Sequence, residues 1–226
     1  MTIQACIFDL DGVIVDTAKY HYLAWKEIAD ELGFHFSEEH NERLKGVSRM
    51  ASLEILLEVG GMTSLPESQK QELAEKKNER YRQYINVLEP GEILPGVFKF
   101  LVELKNNHIK TALGSASKNA PTILHRLNIT DLFDVVVDGN SVSEAKPNPE
   151  VFLKGAQKLA VPPGNCVVFE DAYSGIEAAL RGGMKAIGVG SKENLSNAPI
   201  IIPGFKGMNL EQLNSLINKS EVIVGD

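Results

Sequence analysis

Apolar and polar positions follow two periods along this chain, and segments of the two kinds alternate. Short continuous apolar runs are typical of buried strands, whereas apolar residues three or four positions apart are typical of amphipathic helices. Strands in alternation with helices indicate a parallel sheet covered by helices on both faces, so the sequence predicts a doubly wound, Rossmann-like α/β fold. The predicted strands cover residues 3–8, 109–113, 133–137, 166–169 and 186–189, and the predicted helices between them cover residues 97–104, 120–127, 151–159 and 176–181.

The segment that follows the first strand has a different pattern. Apolar residues recur at helical spacing from Tyr20 to Leu32, and Gly33 then follows as a helix stop. From about residue 37 to residue 88 the pattern is mostly helical and contains no convincing strand. We therefore predict an α-helical cap domain at residues 17–87, inserted into a core domain made of residues 1–16 and 88–226.

Charge and hydropathy exclude several classes of partner. The formal net charge of −7 argues against general binding to nucleic acid, whose phosphates attract basic surfaces. No apolar run reaches the roughly 18 residues that a membrane helix needs, and the N-terminus lacks the features of a signal peptide. We expect a cytoplasmic protein without nucleic-acid or membrane partners. Cys6 and Cys166 lie in apolar runs, and we expect small core residues and no disulfide.

Polar side chains stand directly after three of the predicted strands. They are Asp9, Ser115 and the pair Glu170 and Asp171. In open α/β folds, ligands bind outside the carboxyl ends of the strands. Asp9 and Asp11 leave a strand end on the same side, where like charges repel unless a cation lies between them or one is protonated. This pattern fits a magnesium site, although an Asp-Gly turn without a metal is the alternative.

The segment Asp9–Thr17 resembles the nucleophile motif of the haloacid-dehalogenase-like phosphotransferases. Ser115, Lys146 within Ala145-Lys146-Pro147, and the pair at 170–171 follow in the order of that superfamily's other motifs. The resemblance covers nearly the whole chain. It implies a magnesium-dependent phosphoryl-transfer enzyme that forms a covalent phosphate on Asp9.

The same resemblance implies a role for each motif residue. Asp9 is expected to be the nucleophile and Asp11 the general acid and base, and both contribute to the Mg²⁺ site, Asp11 through its backbone carbonyl. Asp171 completes the metal ligands, and Glu170 is either a ligand or a partner of one. Ser115 and Lys146 are expected to hold the transferring phosphate. A non-enzymatic binding protein on this fold would be expected to lose the aspartates, and all of them are present.

Four further segments, at residues 21–26, 44–49, 77–78 and 115–119, resemble the beta-phosphoglucomutase family of that superfamily. Each has a plainer interpretation. His21 and Trp25 can be a core pair on one helix face, and the turn around Gly46 can be solvated. Lys77 lies on the apolar side of its helix, where it either snorkels to solvent or reaches inward to a sugar or phosphate.

The second resemblance implies an intramolecular phosphotransferase. It would interconvert beta-glucose 1-phosphate and glucose 6-phosphate with glucose 1,6-bisphosphate as primer, as a monomer; the alternative is a magnesium-dependent sugar-phosphate phosphatase. Gly114, where relatives often carry Ala, is expected to loosen its strand end slightly. The implied hinge residues are Asp16 and Thr17, and the implied phosphate- and substrate-binding residues are His21, Trp25, Leu44, Lys45, Gly46, Val47, Arg49, Ser52, Lys77, Ser115, Ala116, Ser117, Lys118, Asn119 and Lys146.

Overall fold

The computed structural model describes residues 3–44 and 47–224. Their strands form one parallel six-stranded sheet in the order β3-β2-β1-β4-β5-β6. The doubly wound fold that the sequence predicts is confirmed. The strands are β1 (Ala5–Phe8), β2 (Lys110–Gly114), β3 (Val135–Val137), β4 (Cys166–Glu170), β5 (Lys185–Val189) and β6 (Ile200–Ile202).

Helices flank the sheet and fill the segment between β1 and β2. Gly33 adopts a left-handed conformation with φ of 85° and ends the first helix, as the sequence predicts. None of the described helices is both long and apolar enough to cross a membrane. The helices are α1 (Ala18–Leu32), α2 (Glu38–Glu42), α3 (Arg49–Val59), α4 (Glu67–Ile85), α5 (Val97–Asn106), α6 (Ala120–Arg126), α7 (Glu150–Leu159), α8 (Tyr173–Arg181) and α9 (Leu210–Val224).

Successive side chains of a central strand point to opposite faces of the sheet. Phe8 joins the cluster that α5, α6 and α9 cover, and its neighbour Ile7 joins the cluster under α7 and α8. Both residues are fully buried, which explains the continuous apolar runs of the central strands. Cys6 and Cys166 are free and buried, so the prediction of core cysteines is confirmed.

Several predicted boundaries are wrong by a few residues, and two elements are missing from the prediction. The first strand begins at Ala5 and the third at Val135, although Ile3 and Phe133 before them pack in the hydrophobic cluster. Helix α8 begins at Tyr173. Neither β6 nor α9 is predicted. β6 has three residues, of which only Ile202 is buried, so its apolar run is too short to predict a strand.

Helices α1, α3 and α4 enclose a hydrophobic cluster of their own around Trp25, Phe36 and Leu53. No strand occurs among the described residues between β1 and β2. The chain enters and leaves this helical unit side by side, because the Leu94 N–H donates to the Ile14 carbonyl at 2.9 Å. The exact domain boundaries, at residues 16/17 and 87/88, stay a prediction.

Candidate active site

The carboxylates expected to bind metal converge at the carboxyl ends of neighbouring strands. Asp9 directly follows β1, Glu170 ends β4, and Asp171 follows it. The Asp9 N–H donates to the Phe169 carbonyl at 2.9 Å, which continues the β1–β4 ladder into the site. One carboxylate oxygen from each of the three acidic residues lies within 4.8 Å of the others. Such a cluster of hard oxygen donors fits a divalent cation such as Mg²⁺.

Gly12 lets the chain fold tightly over this cluster. Its φ is 75°, a conformation that favours glycine, and a Cβ at this position would collide with the carboxylate of Asp171. The carboxylate of Asp11 is not part of this cluster, and it accepts a hydrogen bond from the hydroxyl of Thr17. A contribution of Asp11 to metal binding would therefore come from its backbone carbonyl.

Lys146 places its ammonium group beside the acidic cluster. Its Nζ lies 2.5 Å from Asp9 Oδ1 and 3.0 Å from Glu170 Oε2, and all three side chains are buried. Burial alone would lower the pKa of Lys146, but the charges of Asp9 and Glu170 outweigh it and raise that pKa, so the ammonium stays protonated. Burial, with the charge of Asp9, raises the pKa of Glu170 well above its usual value.

Asp11 has the electrostatics of a proton carrier. Burial, followed by the negative charges of Asp9 and Asp171, raises the pKa of Asp11 to about 8. A carboxyl group with a pKa near the working pH can both hold and accept a proton, as general acid–base catalysis requires. The raised pKa agrees with the role that the sequence implies for Asp11.

A cavity of about 530 Å³ lies between the strand ends and the helices α1, α3 and α4. It brings core and cap residues that the sequence singled out into one space, whereas the predicted hinge residues Asp16 and Thr17 do not line it. Lys45 and Gly46 lie outside the described residues. The predicted residues that line the cavity are Asp9, Asp11, His21, Trp25, Leu44, Val47, Arg49, Ser52, Lys77, Ser115, Ala116, Ser117, Lys118, Asn119, Lys146, Glu170 and Asp171.

Lys77 reaches inward, so the snorkelling alternative is wrong. Only 3% of Lys77 is exposed, and its Nζ lies 2.9 Å from His21 Nδ1 and under 5 Å from the ring centroids of Trp25 (4.9 Å) and Tyr81 (4.7 Å). Burial, followed by the charge of Arg49, lowers the pKa of Lys77 to about 7. Burial, followed by the charges of Lys77 and Arg49, also holds the pKa of His21 well below its usual value.

Two contacts in the cavity join a predicted residue to one that the sequence does not predict. Arg49 Nη1 contacts Glu75 Oε2 at 3.1 Å, and Asn119 Nδ2 donates to Asn78 Oδ1 at 3.0 Å, which joins the loop after β2 to helix α4. The sequence does not predict Glu75 or Asn78 as site residues. The signal available for Asn78 was its place in the segment 77–78, which resembles the beta-phosphoglucomutase family.

The predicted hinge residues lie where the chain enters the helical unit. Thr17 is fully buried at the N-terminus of α1, and Asp16 before it is exposed. Beside them, Val15 forms an isolated bridge with Ile93 of the returning chain. The two connections thus run together, as in a hinge, but the motion itself stays a prediction.

Comparison with known proteins adds independent findings. Residues 3–183 match the model of a hydrolase family, the haloacid dehalogenase-like hydrolases. The chain is 45% identical over 212 residues to the beta-phosphoglucomutase of Bacillus subtilis, covering 93% of this chain and 94% of that protein. It is 34% identical over 186 residues to the phosphorylated carbohydrates phosphatase of Thermotoga maritima, covering 81% of this chain and 83% of that protein. A crystal structure of beta-phosphoglucomutase from Clostridium difficile matches with a TM-score of 0.93 at 42% identity, covering 98% of this chain and 100% of that chain.

Proposed function

We propose that this chain, which belongs to the haloacid dehalogenase-like hydrolase family, is a phosphoglucomutase that interconverts beta-D-glucose 1-phosphate and D-glucose 6-phosphate. The reaction passes through a phosphoaspartate at Asp9 and through beta-glucose 1,6-bisphosphate. The higher identity to beta-phosphoglucomutases, 45% and 42% against 34% to the phosphatase, favours the mutase over a phosphatase of the same family. We further propose a cytoplasmic monomer.

The observation that carries the proposal is that cations from both the core and the cap line one cavity. Lys146 lies at the core end beside Asp9, and Arg49 and Lys77 line the same cavity from the cap. A mutase must hold a bisphosphate in either orientation, so it needs a site for the transferring phosphate and a second site for the phosphate at the other end of the sugar. Guanidinium and ammonium groups are the usual partners of phosphate oxygens.

The chemistry begins with attack by the Asp9 carboxylate on a phosphoryl group, whose oxygens Lys146 and Ser115 hold. Asp11 gives a proton to the departing sugar oxygen and takes one from the sugar hydroxyl that attacks next. We propose Mg²⁺ at Asp9, Asp171 and the backbone carbonyl of Asp11, with Glu170 as a further ligand or as a partner of one. When bound, the metal screens the negative charge of the phosphate from the attacking carboxylate.

The cap residues explain why sugar rather than water receives the phosphoryl group. His21 Nε2 is buried and has no hydrogen-bond partner among the described residues, so it is available to a sugar hydroxyl or phosphate. Trp25 and Lys77 close the cavity beside it. A site that excludes water protects the phosphoaspartate until the sugar arrives.

A product assay separates the mutase from the sugar-phosphate phosphatase. The enzyme receives beta-glucose 1-phosphate and Mg²⁺, with and without a trace of glucose 1,6-bisphosphate, and both glucose 6-phosphate and inorganic phosphate are measured. We expect primer-dependent accumulation of glucose 6-phosphate and little inorganic phosphate. The alpha anomer is the matched control, and it should be a poor substrate because its phosphate leaves the ring in another direction.

The opposite pattern would identify a phosphatase. Release of inorganic phosphate and free glucose as the main products, without any need for the primer, would mean that water reaches phospho-Asp9 freely. Such a result would refute the role that we give to the cap, although it would leave the nucleophile assignment intact.

A further inference from the structure

The aromatic ring of Phe152 lies against the ammonium group of Lys146. The Lys146 Nζ lies over the ring, 4.8 Å from its centroid, while Asp9 and Glu170 bind the same nitrogen. Phe152 belongs to α7, and Lys146 belongs to the loop that precedes this helix. The negative face of an aromatic ring attracts a cation, and the attraction is strongest where water is excluded.

The ring itself has little freedom to move. Phe152 is fully buried, and its Cδ1 lies where a Cβ at Gly114 would approach to 2.8 Å. The same Cβ would approach Ile7 Cγ2 to 3.3 Å, so the ring occupies the space that the glycine leaves free at the end of β2. Gly114 therefore makes room for a ring.

From this arrangement we infer that Phe152 is a positioning residue for phosphoryl transfer and acts through Lys146. The ring provides a fixed surface behind the ammonium and keeps its N–H groups directed at Asp9. Without the ring, the lysine would retain its two carboxylates but could settle between them in other orientations. The inference rests on the proposed covalent chemistry at Asp9 and not on the identity of the sugar.

A graded change in the ring's charge distribution tests this role without changing its shape. Phe152 is replaced with 4-fluoro-, 3,5-difluoro- and 3,4,5-trifluorophenylalanine, since added fluorine weakens the negative face of the ring. The readouts are the pre-steady-state rate at which acetyl phosphate phosphorylates Asp9 and the thermal unfolding midpoint. Acetyl phosphate needs no sugar site, so the measurement does not depend on whether the protein is a mutase or a phosphatase.

We expect the phosphorylation rate to fall with each added fluorine, reaching about a tenfold loss with three, while the unfolding midpoint stays nearly constant. The same series at Phe100 is the matched control, because that ring is equally buried but packs among the rings of Phe8, Phe169 and Phe205. Fluorination there should leave the rate unchanged.

A second background shows whether the ring acts through the lysine. In Lys146→Met protein, the slow residual rate should be the same for every ring at position 152. A constant rate across the series in the wild-type background, or an equal fall in the Lys146→Met background, would overturn the inference and leave the proposed function standing. If unmodified protein never phosphorylates Asp9, the proposed function fails, and the positioning role fails with it.

Discussion

Replacing Lys77 with methionine tests how much a buried lysine in the substrate cavity lowers the free energy of unfolding. Lys77 is almost fully buried, and its surroundings are His21, the rings of Trp25 and Tyr81, and the charges of Arg49 and Asp11. Methionine has a similar length but no charge. The variant therefore removes the buried ammonium and retains most of the packing.

The pKa of Lys77 sets the size and the sign of the effect. Its fall from 10.5 to about 7 corresponds to an upper limit of roughly 5 kcal/mol for holding the charged form in the folded protein. Below pH 7 both folded and unfolded chains carry the charge, and the folded state bears the whole cost. Between about pH 7 and pH 10.5 the unfolded chain binds more protons, so wild-type stability rises with pH through this window.

The free energy of unfolding of wild type and Lys77→Met is measured by urea denaturation from pH 7 to pH 9.5. We expect the stability of the variant relative to wild type to fall by about 2–3 kcal/mol across this range, because only wild type gains from losing the lysine proton. In the variant, His21 Nδ1 loses its contact with Lys77, which lowers the free energy of unfolding. This loss is nearly the same at every pH in the range, since His21 is neutral throughout. Lys76→Met, at the exposed neighbouring position, is the control and should show no such trend.

Ligand binding provides a second measurement of the same proton. At pH 8 a lysine with a pKa of about 7 is mostly neutral, and a phosphate dianion in the cavity should restore its charge. Calorimetry of glucose 6-phosphate binding in buffers of different ionisation enthalpy should then report that wild type takes up nearly one proton more than Lys77→Met at pH 8, and that this difference is small at pH 6; protons that bind to Asp11 or to the phosphate are common to both proteins. Equal proton uptake by wild type and Lys77→Met at pH 8, or a stability difference that does not change with pH, would refute the reasoning.

The other predictions concern the chemical centre and the distal phosphate. Asp9→Asn should abolish every phosphoryl transfer, since an amide is a poor nucleophile, and turnover near the wild-type rate would contradict the covalent mechanism. Asp11→Asn should reduce mutase turnover by about 10²–10⁴-fold while calorimetry still detects Mg²⁺ binding. Exhaustive chelation should stop activity, and added Mg²⁺ should restore it. Arg49→Ala should weaken sugar-phosphate binding by roughly 1.5–3 kcal/mol but change acetyl phosphate turnover little, whereas an equal loss with both would assign Arg49 to the chemical centre.

The sequence is informative about the core because strand ends are marked by chemistry as well as by pattern. Asp9 and Glu170 end apolar runs, and a parallel sheet brings such ends together whatever lies between them in the chain. The short strand Ile200–Ile202 is followed by no chemically reactive side chain and has no long apolar run. It carries no chemistry, and two of its three residues are only half-buried.

The cap contacts could not be predicted from spacing. Arg49 and Glu75 lie 26 residues apart on different helices, and Asn78 meets Asn119 across 41 residues of sequence. Such pairs depend on how α3, α4 and the loop after β2 are placed, which no period within one helix determines. Lys77 was the exception, because its place in an apolar helical stripe already posed the choice between solvent and interior.

The place where the helical unit is inserted connects the cap to the acid–base chemistry. Thr17 occupies the N-cap position of α1, and its hydroxyl donates to the carboxylate of Asp11, so the first residue of the predicted cap contacts the expected proton carrier of the core. If the cap rotates about the paired connections at Val15 and Ile93, as the predicted hinge implies, Thr17 moves with it, and the Asp11 carboxylate either follows or loses this partner. We therefore predict that cap closure brings Asp11 into the orientation that proton transfer requires. An open enzyme with phospho-Asp9 would then face water without an aligned base, which favours transfer to sugar over hydrolysis in addition to the shielding by the closed cavity.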